Sequence, residues 1–423
     1  MLRKSQEFWN PGKTQFWIDS GVPLVIDRRE GYFLYDMSGK RLIDVHLNGG
    51  TYNLGHRHPE VVHTVSTAMQ HFDIGNHHFP SLARTALAEA LIASAPGGLT
   101  KVIYGSGGGE AIDIALKTAR HTTQKRKIVS IVKAYHGHTG LAVGTGDERF
   151  SQLFLADAPE DFPHVPFNDL DAMEQALAGR DVAAVIMETI PATYGFPLPN
   201  PGYLRAVKQL CERYGALYIA DEVQTGLMRT GELWGITKEG IEPDIMVTGK
   251  GISGGLYPIA CVLVNERSAG WLTQDGFGHI STFGGAELGC IAALKALEIT
   301  SRPETRSRVH YLADVIGSGL RRIQDTCPDW FTGIRQNGVI FGLEFDDPQG
   351  AKYVMKHLYE NGVWAIFSTL DPRVLQYKPG ILMSPELADE LLDRTAVAIT
   401  KAAREAAGQH GSRAVRAGWE GRR

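Results

Sequence analysis

From about residue 60 to residue 300 the chain alternates short apolar runs with stretches of helical spacing. The runs at 102–104, 128–132, 182–187, 217–220, 245–247 and 259–264 are too short for helices and read as strands. Between them, stretches such as 110–120 and 202–214 repeat their apolar positions at the helical period. Strand and helix in regular alternation predict an α/β fold, a mostly parallel mixed sheet flanked by helices on both faces. Residues 56–305 are read as this large domain.

The rhythm changes on either side. Residues 32–42 read as a hairpin with its turn at Ser38-Gly39, in a mixed segment running to residue 55. A hairpin alone is too small to be stable, so residues 1–55 are expected to pack with the C-terminal part. There, a long helix at 309–326, a strand at 338–345 and a final helix at 385–407 predict a smaller α+β domain over 306–407. Residues 408–423 are rich in Gly and Arg with little apolar periodicity, and are expected to be a disordered tail.

The bulk numbers narrow the function. A net charge of −4 excludes the overall basic surplus typical of a nucleic-acid binder. No apolar run reaches the ~18 residues that a membrane span needs. The start lacks the apolar core of a signal peptide, and the four cysteines show no CxxC spacing. Together these predict a cytoplasmic protein with reduced thiols. The pairs His56/His58, His77/His78 and His136/His138 lack supporting carboxylates or cysteines, so no metal site is expected.

Candidate chemistry gathers where the predicted strands end. Asp221 closes the run 216–220 and opens Asp221-Glu222-Val223-Gln224-Thr225-Gly226, and Lys250 follows the run 245–247 in Thr248-Gly249-Lys250-Gly251. In a parallel sheet both stand at carboxyl ends, where such sheets bind ligands. A lysine able to form a Schiff base and an aspartate able to hold a pyridine nitrogen protonated suit pyridoxal phosphate. Gly105-Ser106-Gly107-Gly108-Gly109-Glu110 lies between a predicted strand and a helix, as a phosphate cup does. A dinucleotide site is a weaker reading, since the other motifs supply a lysine and no second nucleotide site. Tyr135, in Tyr135-His136-Gly137-His138, ends a strand and can stack on a ring.

With these motifs in this order, the chain resembles the class III (ω-type) aminotransferases, pyridoxal-phosphate enzymes of fold type I. Further matching stretches are Asn53-Leu54-Gly55-His56-Arg57-His58-Pro59, Gly202-Tyr203-Leu204, Arg229-Thr230-Gly231 and Ser281-Thr282-Phe283-Gly284-Gly285. The resemblance implies that Lys250 is the Schiff-base lysine and proton carrier, and that Asp221 pairs with the pyridinium. It implies that Gln224 bonds the phenolic oxygen, that Val223 and Tyr135 sandwich the ring, and that Gly107, Gly108 and Gly109 hold the phosphate. His136 and Glu188 belong to the same implied cofactor set. Thr282 would reach the phosphate of a neighbouring subunit, which implies a homodimer with shared sites. The implied activity moves an amino group from an amine or amino acid to a 2-oxo acid. An amino-acid racemase or epimerase, and a decarboxylase or lyase, are alternatives on the same fold.

Three places depart from the family pattern. The cup usually carries hydroxyl residues where this chain has Gly107 and Gly109, so side-chain donors are lost unless Ser106 or Thr282 compensates. Relatives that use 2-oxoglutarate carry arginine where His138 and Gln376 stand, and a glutamate partner where Thr193 stands. Loss of both members of an ion pair is coherent, because losing one leaves a costly buried charge. Lys378 lies close in sequence, but a point charge does not reproduce a bidentate fork. The expected substrate is therefore a less acidic amine or amino acid, with pyruvate or another small carbonyl as acceptor. Trp17, Tyr52, Asn76, His78, His138, Thr193 and Gln376 are the expected pocket residues.

Overall fold

The computed structural model describes the backbone of residues 1–420 and the side chains of residues 1–407; the side chains of the segment read as a tail, 408–423, lie outside them. The fold is α/β, as the alternation predicts. Seven strands form the main sheet in the order Leu99–Gly105, Ala260–Asn265, Ile245–Thr248, Leu217–Asp221, Val182–Glu188, Lys127–Ile131 and His164–Val165. Ala260–Asn265 runs antiparallel to both of its neighbours, and the other pairs are parallel. Six strands therefore end at one edge of the sheet.

Every residue of Val182–Glu188 is buried, as expected where helices cover both faces. From Ala184 to Met187 successive side chains alternate between two cores. Ala184 and Ile186 join Ile112, Ala115 and Leu116 of the helix Gly108–Thr123. Val185 and Met187 join Leu204 and Val207 of the helix Tyr203–Tyr214 on the other face.

The smaller region holds an antiparallel sheet in the order Phe331–Asn337, Ile340–Phe345, Asp371–Tyr377 and Ile366–Ser368. The helices Pro303–Gln324, Gly350–Glu360 and Pro385–Glu420 accompany it. Near the N-terminus, Ile26–Glu30, Phe33–Asp36 and Arg41–Asp44 form an antiparallel meander. Arg41–Asp44 also pairs in parallel with Val363–Trp364, and Ile43 N–H donates to the Gly362 carbonyl at 2.9 Å. This ladder joins N-terminal and C-terminal segments in one layer and aims the chain after Asp44 at the main sheet. Two helices, Leu2–Phe8 and Pro11–Asp19, precede the meander; the apolar pattern gave no signal of them.

The segment after Asp44 is bent sharply. Leu47, Asn48, Gly49 and Gly50 have φ of 51°, 49°, 72° and 95°, a full left-handed turn. The two non-glycine residues cost about 1–2 kcal/mol each in this region. Asp44 holds the turn's entry: its Oδ1 accepts from His46 N at 3.0 Å and Leu47 N at 2.7 Å. Its Oδ2 lies 2.8 Å from His56 Nε2, both side chains being buried.

Candidate active site

A cavity of ≈ 680 Å³ opens where the strand ends, the left-handed turn and the smaller sheet meet. Asp221 is the last residue of Leu217–Asp221, and Glu188 is the last of Val182–Glu188 and sits beside it in register. Lys250 begins a short 3-10 helix, Lys250–Ser253, directly after the strand Ile245–Thr248 and Gly249. Its φ of 46° is unusual for a residue with a side chain, a strain of the kind that collects at functional sites. The turn presses against it: a Cβ on Gly49 would stand 3.1 Å from Lys250 Cε.

Hydrogen bonds fix the acidic groups. His136 Nδ1 lies 2.7 Å from Asp221 Oδ2, and Val223 N donates to Asp221 Oδ1 at 3.0 Å. The other side of the His136 ring meets Ser130 Oγ at 3.4 Å. Glu188 accepts from Tyr135 N at 3.1 Å and from Ala192 N at 3.1 Å. Burial pushes the Glu188 carboxyl up to about 7, against the lowering effect of His136 and with a further push from Asp221. Burial lowers Lys250 below the usual lysine range, while Asp221 and Glu188 oppose it. A lysine so placed is more readily a neutral amine, the form that attacks carbonyls and carries protons.

The glycine turn opens the sixteen-residue helix Gly108–Thr123, with Gly107 as its N-cap. The first backbone N–H groups of a helix have no partner within it and favour an anion. Ser106 is committed elsewhere: its hydroxyl and its backbone N–H both donate to Glu110 Oε2, at 2.6 and 2.7 Å. The missing hydroxyl at Gly109 has a local reason, since a Cβ there would meet Thr139 Oγ1 at 2.7 Å.

The sequence-derived residues divide by position. Gly108, Gly109, Tyr135, His136, His138, Glu188, Thr193, Asp221, Val223, Gln224, Lys250 and Gln376 line the cavity. Gly107 caps the helix behind the cup. Four expected pocket residues stand elsewhere. Trp17 packs on Phe16 and Trp364, and Tyr52 stacks on His56 with centroids 4.0 Å apart. The exposed Asn76 accepts from His78 N at 3.0 Å, and His78 lines a separate depression with Arg84, Phe277, Ser281 and Gly284. Thr282 is exposed in the same neighbourhood.

Reading the sequence missed His46, Asn48, Gly49, Phe150, Ile366, Phe367 and Thr369, which also line the cavity. Asn48-Gly49-Gly50 was a turn signal in the sequence, and it marks the left-handed turn. Phe150 completes an aromatic wall, its ring centroid 5.9 Å from Tyr135 and 4.7 Å from His138.

These residues fit pyridoxal phosphate. A lysine of lowered basicity, a fixed carboxylate at a neighbouring strand end and a helix N-terminus face one cavity. Gln224 Nε2 is buried with no hydrogen-bond partner among the described residues, as expected of a donor that awaits a ligand oxygen.

Comparison with known proteins agrees. Residues 18–399 match the family profile of Aminotransferase class-III. A protein of Archaeoglobus fulgidus described as an uncharacterized aminotransferase is 42% identical over 390 residues, covering 92% of this chain and 91% of its own. A transaminase from the marine bacterium Virgibacillus superposes with a TM-score of 0.88 at 25% identity, over 96% of this chain and 99% of its own. The ornithine aminotransferase of Toxoplasma gondii, whose structure holds pyridoxal phosphate at partial occupancy in its active site, gives 0.85 at 26% identity, over 93% and 95%. The isomerase and lyase readings are not favoured by these relatives. With the family profile spanning most of its length, the chain belongs to the class III aminotransferases, pyridoxal-phosphate enzymes of fold type I.

Proposed function

We propose that this aminotransferase takes its amino group from a simple amine or monocarboxylic amino acid and passes it to a small 2-oxo acid such as pyruvate, without a dicarboxylate grip. The observation that carries this reading is the neutral trio His138, Thr193 and Gln376 around one cavity. Burial lowers the basicity of His138, which opposes a cationic role for it at neutral pH. A second carboxylate would find no guanidinium fork there; Lys13 also lines the cavity, but a point charge does not reproduce a bidentate grip.

When bound, pyridoxal phosphate supplies a carbonyl for amine capture and an electron-withdrawing ring. Lys250 is the group we assign to hold the cofactor and then to move the proton at the substrate Cα. Asp221, oriented by His136 and by Val223 N, is assigned to keep the ring nitrogen protonated. Gln224 is assigned to the phenolic oxygen, Tyr135 and Val223 to the ring faces, and Gly107 to Gly109 to the phosphate. Glu188 braces Tyr135 from behind through its backbone N–H.

A homodimer with shared sites belongs to the same proposal. Thr282 is exposed beside Phe277, Ile280 and Phe283, which are 63%, 54% and 57% accessible in the single chain. An apolar patch of this kind supports an isologous contact that would carry Thr282 toward the partner's cup. The unpaired thiols of Cys211, Cys261, Cys290 and Cys327 support a cytoplasmic setting.

The test uses the purified holoenzyme and no acceptor. Single amines and monocarboxylic amino acids are expected to bleach the visible absorbance of the lysine-bound cofactor. Pyruvate is expected to restore it faster than 2-oxoglutarate, and Gln376→Arg to narrow that gap. Equal or faster recovery with 2-oxoglutarate in the wild type would sink the proposed acceptor class.

A further inference from the structure

Behind Gln376 the protein buries two basic side chains, and neither pairs with a carboxylate among the described residues. Lys378 is fully buried; its Nζ donates to Gln376 Oε1 at 2.6 Å and lies 5.4 Å from the centre of the Phe196 ring. Arg229 is fully buried nearby. Its Nε donates to Asn53 Oδ1 at 2.6 Å, Nη1 donates to the Pro379 carbonyl, and Nη2 has no partner among the described residues. The charged and titratable groups facing Lys378 are Arg229, Lys250, His46 and Asp44. Only Asp44 is acidic, and its oxygens already serve His46 N, Leu47 N and His56. Buried cations are ordinarily paired. Here a buried guanidinium and a buried amine lie beside a ligand cavity, with no carboxylate of their own among the described residues.

Gln376 connects them to the cavity. It sits near the end of the strand Asp371–Tyr377, held between Ile340–Phe345 and Ile366–Ser368, and it lines the cavity. Its amide oxygen faces Lys378, which leaves the amide N–H₂ as the end for a ligand.

We infer that Gln376 and Lys378 together form the receptor for a single substrate carboxylate. Gln376 donates its amide N–H groups to the anion, and Lys378, protonated as the anion arrives, supplies positive charge from behind, through the polarised amide. The receptor rests on the aminotransferase reading and names its substrate class: compounds with one carboxylate, preferred over the same skeleton without it. Burial first, then Arg229 and Lys250, hold Lys378 well below the usual lysine range, so arrival of an anion is accompanied by proton uptake at its amine.

L-Alanine and 2-aminopropane make a matched pair, since a methyl group replaces the carboxylate. Each is mixed alone with holoenzyme, and kcat/KM for bleaching of the visible band is measured. The wild type is expected to favour alanine, and the preference should weaken as pH rises and Lys378 loses its proton. Lys378→Met is expected to lower the alanine-to-aminopropane ratio about 10- to 100-fold, the worth of a hydrogen bond to a charged group, and to flatten its pH dependence. Gln376→Glu sets a negative charge in the receptor and is expected to lower the ratio at least as far, an independent check if the methionine variant fails to fold. An unchanged ratio in either variant, with the holoenzyme spectrum intact, overturns the inference alone. Bleaching by neither compound in the wild type overturns the proposed donor class and the inference with it.

Discussion

Replacing Gly107 and Gly109 by serine, one at a time, tests the phosphate cup with opposite expected results. Gly107 is the N-cap of Gly108–Thr123, with φ −164° and ψ 167°, an extended conformation open to any residue. A Cβ built on it meets nothing within 4 Å. A serine hydroxyl there gains one bond to a phosphate dianion, about 1.5–3 kcal/mol. It also improves the cap by roughly a few tenths of a kcal/mol over glycine. Gly107→Ser is therefore expected to tighten cofactor binding about 10- to 100-fold. At Gly109 the Cβ would stand 2.7 Å from Thr139 Oγ1 and 3.3 Å from its Cγ2, so turning the threonine exchanges one clash for another. Moving it away breaks its 2.8 Å bond to Asp113 Oδ2. Overpacking of this kind costs about 1–3 kcal/mol. Gly109→Ser is expected to bind the cofactor no tighter than the parent and to melt lower, with recovery in Gly109→Ser/Thr139→Ala. The assay is titration of stripped enzyme with pyridoxal phosphate, followed by absorbance, beside a melting curve for each variant. Tighter binding in the Gly109 variant than in the Gly107 variant would refute the reasoning.

Three other substitutions probe the site. Asp221→Ala removes the groups that His136 Nδ1 and Val223 N hold in place; single-turnover bleaching should slow about 10²- to 10³-fold, and a parental rate would contradict the role given to the carboxylate. Gly49→Ala places a methyl 3.1 Å from Lys250 Cε at a φ of 72°; it should cost about 1–2 kcal/mol of stability and lower kcat, and a parental kcat would show that the turn does not steer the lysine. Lys378→Met removes an amine whose folded-state pKa is depressed far below its unfolded value. In the parent, the unfolded chain binds a proton there that the folded chain refuses, so stability falls as pH drops below the usual lysine range, by up to about 1.4 kcal/mol per pH unit. The methionine variant's urea midpoint should therefore gain on the parent between pH 10 and pH 7; a constant gap would show that Lys378 keeps its proton in the fold.

Much of this site was legible because its key residues follow strands, and strands announce themselves by composition. Asp221 and Lys250 are placed by apolar runs whose burial on both faces leaves no room for polar residues, and the glycine turn by the shorter apolar run at the end of the half-buried Leu99–Gly105. Strand direction was not legible in the same way. Ala260–Asn265 is buried at all but its last position and reads like its neighbours, yet it runs antiparallel; full burial erases the alternation that separates the two cases. The substrate side of the cavity was less legible for another reason. His46, Phe150 and Phe367 come from three distant segments, brought together by the ladder between Arg41–Asp44 and Val363–Trp364 and by a left-handed turn. No local period encodes such a meeting. Lys378 shows where the limit lies: the sequence offers it only as a point charge close to the lost arginine position, and its complete burial against Gln376 emerges only when Val45 and Phe196 are folded against it. The departures from the family pattern at Thr193 and Gln376 were visible as lost charges, but that a basic group survives one layer behind them is a fact of packing. Chemistry built at strand ends can thus be read from the chain, whereas specificity assembled from loops and a second layer has to be read from the fold.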